Sequence, residues 1–209
     1  MTLLEPAVSL TDLALAIECG LFAAWLSRLG RARVKPAFVS LFAATGVAAL
    51  LGGISHGLLP GSDMVWRATL IAICVAAFAA WLIGARLALP YEYQKIVTIL
   101  AALVFAAQSA YILFVGESFL VAIVSYAPAA LFLLIAFGLA YRRCHASYLL
   151  AGIAGLALTF IAAAAQQSAT GLHPRYFDHN AFYHLIQGAA LFLIFWAARG
   201  ILKSSSARG

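Results

Sequence analysis

Charge is the scarce ingredient of this chain. Lys and Arg number 13 and Asp and Glu 7 among 209 residues, 10% in all, against about 25% in an ordinary soluble domain. With 65% hydrophobic residues and a mean hydropathy of +1.01, that scarcity excludes a water-soluble core of this size. It also removes nucleic acid as a partner: the net charge is +6, but the basic residues sit in short loops, where they report topology. Cysteine is sparse too. Cys19, Cys74 and Cys144 are scattered without a CxxC pair, which excludes a disulfide framework and a thiolate metal site and leaves small hydrophobes. The opening "MTLLEPAVSL" has no Lys or Arg, so it lacks the basic start of a cleavable signal peptide. Short alternating runs are missing, which argues against a β-barrel.

What is present is long apolar runs. Seven spans are expected at roughly 7–28, 37–59, 64–88, 94–115, 118–141, 147–170 and 180–201, each about the 20 residues a helix needs to cross a bilayer. The fold class is therefore all-α: a polytopic membrane protein of seven transmembrane helices, forming one domain over 1–203 with a disordered tail at 204–209. Pro128 is expected to kink the fifth span. Lys and Arg crowd the loops after spans one, three and five and the C-terminus, while the alternate loops are poor in them. The positive-inside rule puts the N-terminus outside and the C-terminus in the cytoplasm. A bacterial plasma membrane is the expected location, and the oligomeric state is open.

Against this apolar background the stretch "HPRYFDHNAFYHLIQ" at 173–187 stands out. It leads into the seventh span from the outer side. Asp12 lies in the outer third of span one, His56 ends span two, Arg67 begins span three, and Gln166, Gln167 and Ser168 close span six. Polar residues from five spans thus share one depth. Asn180, His184, Gln187 and Gly188 stack on one face of span seven. His56 continues a face of small residues, Thr45, Ala49 and Gly52, which either packs closely or leaves room for a ligand. Lipid requires such groups to turn inward. Glu18 lies near mid-membrane on a different face from Asp12. Blander readings stand beside these. Asp12 could pair with a nearby cation, His56 could bond a helix-end carbonyl, and His173 and Arg175 read as loop residues in water. Tyr111, Tyr126 and Trp81 read as packing or interface anchors, and Gln108 and Ser109 as bridges between helices.

The histidine late in span two and "HNAFYHLIQGAALFLIF" in span seven resemble the superfamily of alkaline ceramidases and progestin/adiponectin receptors. That superfamily carries Ser-x-x-x-His in its second span, an aspartate in its third and His-x-x-x-His in its seventh. The resemblance implies a zinc ion on histidines whose water attacks a lipid amide. Carried over residue by residue, it reaches His56 and His184. Here Gly52 stands at the serine position, Asn180 at the first histidine of the pair, and Trp66 and Arg67 where the aspartate would be. His179 or Asp12 would have to supply a third zinc ligand. Asp12 would then be the general base, with Asn180 or Gln187 on the oxyanion.

Three functions follow as expectations. The first is a metal-dependent hydrolase of a membrane lipid amide or ester, with Zn2+ on His56, His184 and His179 and with Asp12, Asn180 and Gln187 in catalysis. The second is a metal-free acid/base enzyme such as an isoprenoid cyclase, with Asp12 and Glu18 as acids and Phe177, Phe182 and Tyr183 lining the pocket. The third is a lipid-binding or receptor-like protein without catalysis.

Overall fold

The computed structural model describes residues 4–173 and 177–206. It contains seven helices: α1 Pro6–Ser27, α2 Lys35–Gly57, α3 Asp63–Ala88, α4 Tyr91–Phe114, α5 Phe119–Cys144, α6 Ser147–Gln167 and α7 His179–Ser206. All seven are long and apolar enough to cross a membrane, and among the described residues there is no strand beyond one isolated bridge between His173 and Phe177. The expected spans are found within a few residues. One end moves: α7 runs to Ser206, so residues 204–206 are helical and not part of a tail. Arg175 and residues 207–209 lie outside the described residues.

Local chemistry sets the helix ends. Proline opens α1 and α2, where its missing N–H goes unnoticed and its fixed φ is already helical. Ser118 Oγ accepts from the Leu120 N–H at the start of α5, and Asp178 Oδ1 accepts from the N–H groups of Asn180 and Ala181 at the start of α7; both occupy the N-cap role. Arg143 donates to the carbonyl oxygens of Leu87 and Ala88, placing a cation on the negative end of α3. α5 continues through Pro128.

Six helices form a ring in the order α1, α2, α3, α5, α6, α7, and α4 packs outside it, chiefly against α3. Because α1 and α7 both start on the face read as outer, they are parallel neighbours. The ring is filled unevenly, and the sequence says why. In its inner half each helix turns large side chains inward: Leu26, Phe38, Phe42, Ile83, Leu133, Phe137, Leu191 and Ile194 are almost wholly buried. Phe22 stacks on Phe195 with ring centroids 4.2 Å apart, and Phe42 meets both edge-on. In its outer half the same helices present Ala, Gly and Thr, which cannot fill the space.

Glycines hold the tightest seam. A Cβ on Gly155 of α6 would lie 2.6 Å from the Ala190 carbonyl oxygen of α7, so these helices approach as closely as small-residue interfaces allow. Gly20 on α1 has nothing within 4 Å of such a position. Gly155→Ala should therefore destabilise the protein by about 1–3 kcal/mol, the usual cost of overpacking, and Gly20→Ala should not. Thermal unfolding in one detergent, with both variants side by side, checks the contrast.

Candidate functional site

The unfilled outer half of the ring is a cavity of about 630 Å³ lined by α1, α2, α3, α5, α6 and α7. Most of its wall is apolar. Of the polar residues at the shared depth, Asp12, His56, Gln166, Gln167, Asn180 and His184 line it and Arg67 and Ser168 do not; Gln187, Thr45, Thr69, Thr159, Tyr126 and Tyr183 join them. Along α7 they descend in steps: His184 lies about 6 Å, and Gln187 about 10 Å, below Asn180.

At the centre is a pair. Asp12 Oδ1 lies 3.3 Å from His184 Nε2, with both side chains nearly buried. The other ring nitrogen, Nδ1, is 3.1 Å from Thr11 Oγ1. Thr11 Oγ1 is itself 2.9 Å from the carbonyl oxygens of Ala7 and Val8. With its hydroxyl proton on one of these, Thr11 accepts from His184 and Nδ1 carries hydrogen. The tautomer is thus assigned by the hydrogen-bond network. Nε2 then either accepts from a protonated Asp12 or donates to its carboxylate. With Nδ1 protonated, one proton lies between the two side chains in either case and the pair is neutral overall. That neutrality is what makes an aspartate tolerable inside the membrane.

The remaining carboxyl oxygen faces α2. A Cβ on Gly52 would stand 3.2 Å from Asp12 Oδ2, and one on Gly53 would stand 3.1 Å from Asp12 Cβ and 3.2 Å from the Ser9 carbonyl oxygen. The Gly-Gly pair therefore does two things: it lets α1 and α2 close on each other and leaves Oδ2 its space on the cavity wall. The face of small residues below His56 packs on α1 and borders the cavity at once.

The other candidates separate. His56 lines the mouth of the cavity, and its Nδ1 is 2.8 Å from Glu5 Oε2, with both side chains partly exposed. Asn180 lines the cavity, and its Oδ1 accepts from Gln166 Nε2 at 3.2 Å, which leaves its amide nitrogen as a donor. Gln187 is 4% exposed, and its Nε2 donates to Thr159 Oγ1 at 3.4 Å. Of the aromatics expected to line a pocket, Tyr183 does so and Phe177 and Phe182 do not. Tyr126, expected as packing, lies on the cavity wall. Trp81 does pack, stacking on Phe132 at 4.8 Å. Gln108 bridges α4 to Ser125 of α5, whereas Ser109 Oγ is buried without a partner. Arg67 shares the depth but not the site: its Nε bonds Glu117 Oε2 at 3.2 Å and its Nη1 the Leu113 carbonyl oxygen at 2.9 Å. Glu18 does not line the cavity. Its carboxyl lies in the α1–α7 seam, 3.1 Å from where a Cβ on Gly188 would be.

A zinc centre does not fit this arrangement. His184 offers both of its nitrogens to α1, Nδ1 of His56 is turned to Glu5, and His179 is absent from the cavity wall. Among the described residues no group of three or more His, Cys, Asp and Glu could hold a metal ion. The expected set of His56, His184 and His179 is therefore not assembled: the resemblance carries His184 over by its position in the sequence, while its rotation turns it to Thr11 and Asp12. Gln187, the other oxyanion candidate, spends one of its two amide hydrogens on Thr159 Oγ1. Thr11 and Glu5 are the partners that reading the sequence missed. Neither carries a local signal: each matters only through a residue on another helix.

Together, fold and cavity define a helical integral membrane protein with a carboxyl–imidazole pair in a mostly apolar chamber. The chain belongs to the Family of unknown function (DUF6962), whose model matches residues 7–203. No curated protein and no solved structure matches it.

The pair itself is testable by a double-mutant cycle. Asp12→Leu and His184→Leu each leave a buried polar group without its partner, and each should cost about 3–5 kcal/mol. The double variant should cost clearly less than the sum. Additive losses in urea or thermal unfolding would mean that the two side chains do not interact.

Proposed function

We propose that this protein is a metal-independent acid/base enzyme acting on a membrane lipid, in a plasma membrane of bacterial type. The observation that carries the reading is the 3.3 Å approach of Asp12 to His184 at the wall of a mostly apolar cavity. A site built only to stabilise helix ends needs no chamber, and a lipid-binding chamber needs no buried acid.

The geometry supports particular roles. His184 cannot offer a free nitrogen to a substrate, because Thr11 and Asp12 hold both. It is a positioning residue: as imidazolium it steadies the Asp12 carboxylate, and as imidazole it accepts from Asp12. The group that meets substrate is Asp12 through Oδ2. As carboxylate it takes a proton from the lipid, or from a water poised against a lipid carbonyl, and returns that proton at a later step. A general base must reach the proton it removes, and Oδ2 has that access where Gly52 leaves space. The Asn180 amide nitrogen is the donor available to developing negative charge. Apolar walls keep bulk water away, which strengthens each of these interactions.

Entry is from the side as well as the mouth. Ile123 of α5 and Ala163 and Gln167 of α6 line the cavity and are also exposed, and α5 and α6 touch less than most neighbours in the ring. A lipid can therefore reach the chamber from the bilayer.

The test is turnover of a total bacterial lipid extract by purified protein in nanodiscs, followed by mass spectrometry. Wild type should deplete at least one lipid species and should do so equally in the presence of a strong chelator. Asp12→Asn should abolish the change, and His184→Gln should slow it by roughly 100-fold or more, within the range general acid/base groups contribute. Turnover that persists in Asp12→Asn, or that stops on chelation and returns with zinc, would overturn the reading.

A further inference from the structure

Gln187 lines the cavity, and one of its atoms is left without a partner. Gln187 Oε1 is buried and has no hydrogen-bond partner, in a side chain that lines the cavity and is 4% exposed. The orientation of the amide is determined by its neighbour. Thr159 Oγ1 donates its proton to the Gly155 carbonyl oxygen at 3.1 Å, so it can only accept from Gln187, and Nε2 must be the atom facing it. A buried acceptor left unmade costs about 1–3 kcal/mol, and native interiors rarely leave one without a reason.

The geometry points to a second recognition point in the chamber: Gln187 Oε1 accepts a hydrogen bond from a hydroxyl or N–H carried by the ligand itself, one helical turn deeper than the Asp12–His184 pair. This rests on the reading of the chamber as a substrate site and narrows the substrate class. Gln187 follows His184 by three residues, a rise of about 4.5 Å. The ligand's donor therefore lies a few bonds along the chain from the group presented to Asp12. A plain fatty alcohol or a hydrocarbon has nothing to offer there. A single-chain lipid with two polar groups close together, such as a diol or an amino alcohol, has. A modest turn about the terminal amide torsion, whose profile is broad, brings Oε1 to the guest while Nε2 keeps its contact with Thr159. Below this level the wall is apolar but for Thr45, whose hydroxyl bonds its own helix, and the Phe22–Phe195 stack lies deeper still, so the rest of the lipid leaves sideways towards the bilayer.

The experiment measures binding, not turnover, in an Asp12→Asn background, so that it stands even if the acid/base reading fails. The probes are hexadecane-1,3-diol and its 3-O-methyl ether, which have the same chain but differ in the inner donor. Affinity is read by thermal protection in nanodiscs and by retention in native mass spectrometry. The diol should bind roughly three- to tenfold more tightly than the ether, as one neutral hydrogen bond allows. Gln187→Met, similar in volume but without an acceptor, should make the two equal. Should that variant fold poorly, Thr159→Val loosens the amide while keeping it and should shrink the preference. Equal binding of diol and ether in the Asp12→Asn parent, or a diol preference that survives Gln187→Met, would overturn the assignment. The latter result would mean that the oxygen is served by water or by the protein alone.

Discussion

Asp12 and His184 face each other at 3.3 Å at a depth where water is scarce, and neither could remain there alone. An isolated carboxylate in lipid must find a proton or a cation; an isolated imidazolium must find an anion. With Nδ1 protonated, they share one proton and carry no net charge. That arrangement dictates much of what surrounds it. Thr11 must precede Asp12 on α1 to occupy the second ring nitrogen. Gly52 and Gly53 must be small for α2 to approach and still leave room for the carboxyl. α1 and α7, first and last in the chain, must lie side by side and parallel, which an odd number of spans permits.

The ring of helices serves the pair by being incomplete. Its inner half is packed with phenylalanine, leucine and isoleucine and carries the rigidity. Its outer half substitutes alanine, glycine and threonine at the inward positions and so remains open. The same six helices are thus divided into a plug and a chamber. The plug gives the chamber a floor, and the floor holds the facing side chains of α1 and α7 in register. The position where the resembled superfamily places serine is occupied here by Gly52, and its missing side chain is what Asp12 needs.

The spans could be read from the sequence because twenty consecutive apolar residues have few alternatives. The charge asymmetry of the loops then put Asp12, His56, Asn180 and His184 at one depth, and all four do line the same cavity. Depth, however, is one coordinate of three. Rotation about each helix axis decided the rest, and a nearly uniform apolar helix carries little rotational signal. Arg67 therefore looked like a member of the site although it turns to Glu117. His184 looked like a metal ligand although α1 holds both of its nitrogens, and Tyr126 packs against the core as expected but lines the chamber as well. Thr11 and Glu5 were invisible because their roles exist only across helices. The outward pointer was there in the inward face of α2, where Thr45, Ala49, Gly52 and His56 follow at helical spacing; its meaning depended on a neighbour not yet placed.

The claim on which everything turns is the state of one imidazole, and solid-state NMR on nitrogen-15 histidine-labelled protein in lipid reads it directly. The account predicts that His184 carries hydrogen on Nδ1, shows a strongly hydrogen-bonded Nε2, and that only the Nε2 signal moves markedly on Asp12→Asn. A bare Nδ1, or an Nε2 signal indifferent to the loss of the aspartate, would contradict it.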